Sequence, residues 1–120
     1  MSGHRVASDL AKGAPTLADP GNAGDIVITK QGQLVELESS AAETRTLKNP
    51  LRASMRATIR MKTDGGDITL TASNGLNVTG NNTAVFADVG DLIDLISVSH
   101  TSGYRWEILV NTGSVALSTV

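Results

Sequence analysis

The residues able to do chemistry are few, and their spacing argues against catalysis. The two histidines are His4, near the start, and His100, between Ser99 and Thr101. They have no metal-ligand spacing, and His100 reads as a solvated turn residue. Asp64, Asp67, Asp88, Asp91 and Asp94 could hold calcium or form an acid–base pair. They stand near turn signals, however, and lack the oxygen-ligand spacing of an EF-hand loop. Cysteine is absent, which removes disulfides, thiolate nucleophiles and cysteine-based zinc sites together. Gly65-Gly66 and Gly75 have neither the helix nor the lysine that a phosphate loop needs. The expectation is a chain with no catalytic residue, no metal and no cofactor, and therefore not an enzyme.

Arg52, Arg56, Arg60 and Lys62 make a basic stretch on the polar side of a strand pattern. The aromatic residues are Phe86, Tyr104 and Trp106, and the net charge is -2, so bases would find little to stack on and phosphates little attraction. No nucleic acid and no membrane is expected as a partner, and nothing approaches the roughly 18 apolar residues of a membrane span. The arginines are expected on a solvated face, in ion pairs or against an acidic partner. Without an apolar stretch of signal-peptide length near Met1, the chain is expected to be soluble and made in the cytoplasm. Asn77-Val78-Thr79 and Asn81-Asn82-Thr83 match glycosylation acceptors, which matter only in a secreted eukaryotic protein.

The elements that would carry these residues are strands. Gly-Asp followed by an apolar run occurs at Gly24, Gly66 and Gly90, each time reading as a turn that feeds a strand. The unequal intervals argue against a solenoid. Asp25 to Lys30 and Leu34 to Glu38 read as a hairpin joined by Gln31-Gly32-Gln33. Thr44 to Leu47 follows, stopped by Asn49-Pro50. From Ser54 to Lys62 the pattern alternates, with Met55, Ala57, Ile59 and Met61 inward. Asp64-Gly65-Gly66 reads as a second hairpin turn into Asp67 to Ala72. Leu76 to Thr79, Ala84 to Ala87, Leu92 to Ser99 and Tyr104 to Asn111 complete seven or eight short strands.

Leu92 to Val98 is apolar on both faces, Ile93 and Leu95 on one and Leu92, Ile96 and Val98 on the other. Such a strand is covered twice, by its own domain or by another chain. In the next strand Trp106, Ile108 and Val110 are expected inward, with Arg105, Glu107 and Leu109 outward. Leu92, Ile96, Val98 and Leu109 are thus the candidate subunit-interface residues. The fold expected is all-β: an antiparallel sandwich, jelly roll or small barrel spanning residues 24–120. Residues 1–23, rich in Gly, Ala, Ser and Pro, read as an extended arm with apolar anchors at Val6, Leu10 and Leu17. With three aromatic residues in a chain of 120, core area is modest, and burial between subunits would help.

Several phrases resemble a small β-domain found on the virions of tailed bacteriophages. They are Thr44-Arg45-Thr46-Leu47 before Asn49-Pro50, Lys62-Thr63-Asp64-Gly65-Gly66-Asp67-Ile68-Thr69-Leu70, Gly80-Asn81-Asn82-Thr83, Gly90-Asp91-Leu92-Ile93-Asp94-Leu95 and Tyr104-Arg105-Trp106. Lys48 stands where those proteins commonly have proline. Of the two settings in which such domains occur, parts of tail fibres and head decoration (cement) proteins, the chain is more similar to the second. The resemblance implies a homotrimer on the capsid surface that bridges copies of the major capsid protein. Val6, Leu10 and Leu17 of the arm and Arg52, Arg56 and Arg60 would then be the capsid contacts. The alternative is a receptor- or carbohydrate-binding knob of a tail fibre, with Tyr104 and Trp106 as contacts. Trp106 alternates with charged neighbours and is expected in the core instead.

Overall fold

A computed structural model describes residues 15–119. Ten strands follow one another: β1 (Thr16–Leu17), β2 (Gly24–Ile26), β3 (Gln33–Ser39), β4 (Glu43–Leu47), β5 (Arg56–Asp64), β6 (Ile68–Thr71), β7 (Thr83–Phe86), β8 (Leu92–His100), β9 (Gly103–Thr112) and β10 (Ala116–Ser118). They form two five-stranded sheets, ordered β1-β3-β5-β8-β9 (sheet A) and β10-β7-β6-β4-β2 (sheet B). The protein is an all-β sandwich, as its alternating runs and frequent turns imply.

Its first half is wound differently from the expected antiparallel meander. Up to β6, successive strands alternate between the sheets, so β1, β3 and β5 lie parallel in sheet A, and β2, β4 and β6 parallel in sheet B. The hairpins read at Gln31-Gly32-Gln33 and Asp64-Gly65-Gly66 are therefore corners that carry the chain from one sheet to the other. The solenoid dismissed on spacing survives as three short coils, hidden from a period search because their connections differ in length. The second half is antiparallel throughout: β5 pairs with β8, β6 with β7, β8 with β9 and β7 with β10.

Stacked corners explain two of the three Gly-Asp phrases. Gly65 N–H donates to the Ser39 carbonyl (2.9 Å), Ser39 Oγ to the Gly66 carbonyl (2.6 Å), and Glu43 N–H to the Asp67 carbonyl (2.9 Å). A Cβ on Gly66 would lie 2.3 Å from the Ala41 carbonyl carbon, and one on Gly24 would lie 2.5 Å from Pro20 Cβ. Glycine is required at both by close approach. Gly90 has open space but a φ of 92°, so there the backbone angle decides.

Side-chain parity fills the space between the sheets. Val35, Leu37, Ala57, Ile59, Met61, Ile93, Leu95 and Trp106 of sheet A meet Ile26, Leu47, Ile68, Leu70, Ala84 and Phe86 of sheet B, all buried. Trp106 donates its indole N–H to the Lys48 carbonyl at 2.9 Å, which satisfies its one polar atom in the core. The segment expected as strand Leu76 to Thr79 is a loop. Asn77 Oδ1 accepts from Asn81 N–H and from Thr79 Oγ, and Leu76 turns its carbonyl to Ile108 N–H on β9.

The expected arm falls largely outside the described residues, including His4, Val6 and Leu10. Its last part belongs to the domain: β1 pairs with β3, and Leu17 packs against the core. The first strand therefore precedes the boundary expected at Gly24.

Candidate interaction surface

Two outward faces result from the alternation that fills the core. On sheet B the outward positions of registered strands form two rows across the sheet, Asp25-Thr46-Thr71-Thr83-Ser118 and Thr44-Thr69-Val85-Ala116. Hydroxyl groups dominate this face, and some bond to one another: Thr83 Oγ1 donates to the Ser118 carbonyl (3.0 Å) and bonds its hydroxyl.

On sheet A the rows are of another kind. Glu36-Arg60-Leu92-Thr112, Leu34-Thr58-Asp94-Val110, Arg56-Ile96-Glu107 and Val98-Arg105 run across β3, β5, β8 and β9. Leu34, Leu92, Ile96 and Val98 are half-buried, and Val110 is 47% exposed. The charges between them are paired within the face: Arg60 with Glu36 at 3.2 Å, Arg105 with Glu107 at 2.7 Å, and Arg56 with Asp94 at 3.9 Å. Thr58 Oγ1 donates to Asp94 at 2.7 Å. The face is thus an apolar patch with a neutralised charge pattern, and it is the outer layer of a two-sheet protein.

Val110 was expected inward. The register of β8 with β9 shifts between Asp94 and Leu95, and one extra β9 residue there turns the strand over. Trp106 and Ile108 keep to the core, whereas Val110 joins Asp94 outside. Leu109, 48% exposed, lies at this bulge.

The structure also redistributes the other sequence candidates. Leu92, Ile96 and Val98, read as subunit contacts, share one face with Arg56 and Arg60, read as capsid contacts. Arg56 is registered with Ile96 and Arg60 with Leu92. Two surfaces inferred separately are one. Arg52 lies apart, in the exposed turn before β5, where its carbonyl accepts from Ser97 Oγ (2.6 Å). Leu17 lines a recess of about 270 Å³ beside β1 together with Thr16, Ala18, Asp19, Leu34 and Glu36. Both carboxylates there are committed, Asp19 to Arg45 and Glu36 to Arg60.

Sequence reasoning passed over Arg45. Its side chain is wholly buried, and its donors all find acceptors: Nε to Asp19 Oδ1 (2.7 Å), Nη2 to Asp19 Oδ2 (2.9 Å) and the Glu38 carbonyl (3.0 Å), Nη1 to the Thr44 carbonyl (2.9 Å) and Glu43 Oε1 (3.0 Å). Asp19 also accepts from Glu38 N–H (2.9 Å), so its carboxylate extends the edge of β3 where β1 has ended. Burial alone would raise the Asp19 carboxyl. Hydrogen bonds from Arg45 and from the N–H groups of Glu38 and Gly21 outweigh it and hold the group below its ordinary value. Glu43 is held low chiefly by the Ser40 N–H, with Arg45 adding to it. The bonds to Asp19, first of all, raise the Arg45 guanidinium. The signal was present: Arg45 has the parity of Leu47, which places it inward.

The turn aspartates are architectural where they are bonded. Asp91, buried, accepts from Ala87 N–H (3.0 Å) and Asp88 N–H (3.2 Å). His100 Nδ1 accepts from Ser102 N–H (3.1 Å), closing the β8–β9 turn. Among the described residues, no three His, Asp or Glu side chains are grouped so as to hold a metal ion. Among the same residues, no helix is long and apolar enough to cross a membrane. No protein-family model matches the chain, and no curated protein was found to be similar to it.

Proposed function

We propose that this chain is a non-enzymatic structural protein of a phage virion, one that decorates the head and stabilises it by bridging neighbouring capsid subunits. The observation that carries this reading is the outer face of sheet A. Its half-buried Leu34, Leu92, Ile96 and Val98 lie among charges already neutralised within the face. A surface of this composition is suited to burial against another protein and offers no convergent reactive groups. A protein that stabilises a shell needs only such burial, because whatever binds the assembled state alone shifts the equilibrium towards it. The resemblance of the Gly-Asp and Tyr104-Arg105-Trp106 phrases supplies the virion setting, with the major capsid protein as partner. The tail-knob alternative loses its best contact, since Trp106 is buried and bonded to Lys48.

Purified protein added to heads that lack it tests the reading. Reconstruction by electron microscopy is expected to show its density at repeated positions on the head lattice. Density confined to the tail, or none on either, would overturn it.

A further inference from the structure

We propose that the occupant of sheet A's outer face is a second copy of the same chain, packed face to face with its strands aligned to those of the first. The inference rests on the reading above only in taking this face as the working surface; it gives the face to the pairing of copies and leaves the capsid to the rest of the dimer's surface. It commits to a pair, where the resemblance implies three copies.

The layout of side chains makes the argument. The four long strands β3, β5, β8 and β9 have their midline between β5 and β8. A two-fold axis along the strands on that midline lays β3 over the other copy's β9 and β5 over its β8, row upon row. Leu34 then meets Val110, Thr58 meets Asp94, and Arg56 and Arg60 cover Ile96 and Leu92 while approaching Asp94. Leu34 and Val110 make the apolar contact, and the basic column meets the column that carries a carboxylate. A two-fold axis across the strands, through the Thr58–Asp94 row, lays Ile96 on Leu92 but sets Arg56 of one copy against Arg60 of the other and Asp94 against Asp94, so the charges oppose it. A self-complementary face is the requirement of an isologous contact, and alignment of strand directions is the usual geometry of sheets packed face to face. The face of sheet B has no such pattern of sign or apolarity.

Edge pairing between copies is the rival mode, and the fold obstructs it on the N-terminal side. There the edge of β3 is closed by β1 and by the Asp19 carboxylate, and Asn22 Oδ1 accepts from Thr44 N–H (3.1 Å) at the edge of β4.

The absence of native cysteine allows a direct test with the full chain. Leu34→Cys and Val110→Cys are made as separate variants, and the two are mixed and oxidised. Within one chain these positions are separated by two intervening strands, roughly 14 Å, too far for a disulfide. The expected result is a covalent dimer in the mixture that neither variant forms alone. Wild-type protein, sedimented over micromolar concentrations, is expected as a dimer and needs no variant to fold. A monomer would overturn the proposal. A trimer, or cross-linking as efficient in one variant as in the mixture, would overturn the two-fold arrangement. Wild-type protein that dimerises yet leaves heads bare contradicts the decoration reading alone. Protein that binds heads but sediments as a monomer contradicts this inference alone.

Discussion

The outer faces of the two sheets were built by the same alternation and differ in what the alternation leaves outside. Sheet B presents a field of Thr and Ser around Val85 and Asp25, the composition of a strand surface that faces water. Sheet A presents Leu34, Leu92, Ile96, Val98 and Val110 among paired charges. Both sheets have filled the shared core, so the apolar excess on A has no use within the described fold. The difference teaches that a candidate working surface can be singled out without reactive groups, by asking which outward face is more apolar than folding requires.

The comparison presumes one rigid frame, and Arg45 is where that frame breaks first. It stands on β4 of sheet B and binds the Glu38 carbonyl on β3 of sheet A, as well as Asp19 and Glu43. Arg45→Met leaves two carboxylates beside a vacated buried site. A loss on the order of 3–5 kcal/mol is expected, read from the denaturant midpoint, with both faces lost in one transition. A change under about 1 kcal/mol would mean that the ion cluster does not join the sheets.

Acid should act on the same joint more gradually. The folded state holds the Asp19 and Glu43 carboxyls below their unfolded values, so their contribution is fully present above the ordinary carboxylate range. It is lost as pH falls through the depressed folded values. Thermal scans from pH 6 downward should show the melting temperature falling in the acid range. In Asp19→Asn that acid dependence should be weaker. Equal dependence in the two proteins would assign the effect elsewhere.

The smallest effect is expected on face A itself. Glu36 and Arg60 form a partly exposed pair, so Glu36→Gln should cost less than about 1 kcal/mol of folding stability, read from the denaturant midpoint. A larger loss would make the pair part of the frame and blunt the contrast between the faces.

Much of the fold was legible in the residues. Alternation located β5, Gly-Asp marked the entries to β2, β6 and β8, and the pattern of β8 marked both its faces as apolar, although its own domain covers only the face of Ile93 and Leu95. The winding was not legible, because a hairpin turn and a sheet-to-sheet corner share glycine and a short polar link. At Asp64-Gly65-Gly66 what separates them is close backbone approach at Gly65 and Gly66, a tertiary fact, whereas Gly32 has open space and a φ of 77°, as a hairpin glycine would. The same limit hid the turnover of Val110, since a bulge moves a side chain to the opposite face without any residue of its own to announce it. Arg45 was legible by parity, but its partner Asp19 lay in a stretch read as arm.

The contrast between the faces is tested most directly by one pair of substitutions, Ile96→Arg on sheet A and Thr69→Arg on sheet B, compared by sedimentation of full-length protein. Both place the same cation at an outward strand position. Ile96→Arg, beside Arg56, is expected to weaken self-association at least about tenfold, or about 1.4 kcal/mol, while Thr69→Arg associates as the wild type does. Association that survives Ile96→Arg and fails in Thr69→Arg would contradict the account and move the working surface to the other side of the molecule.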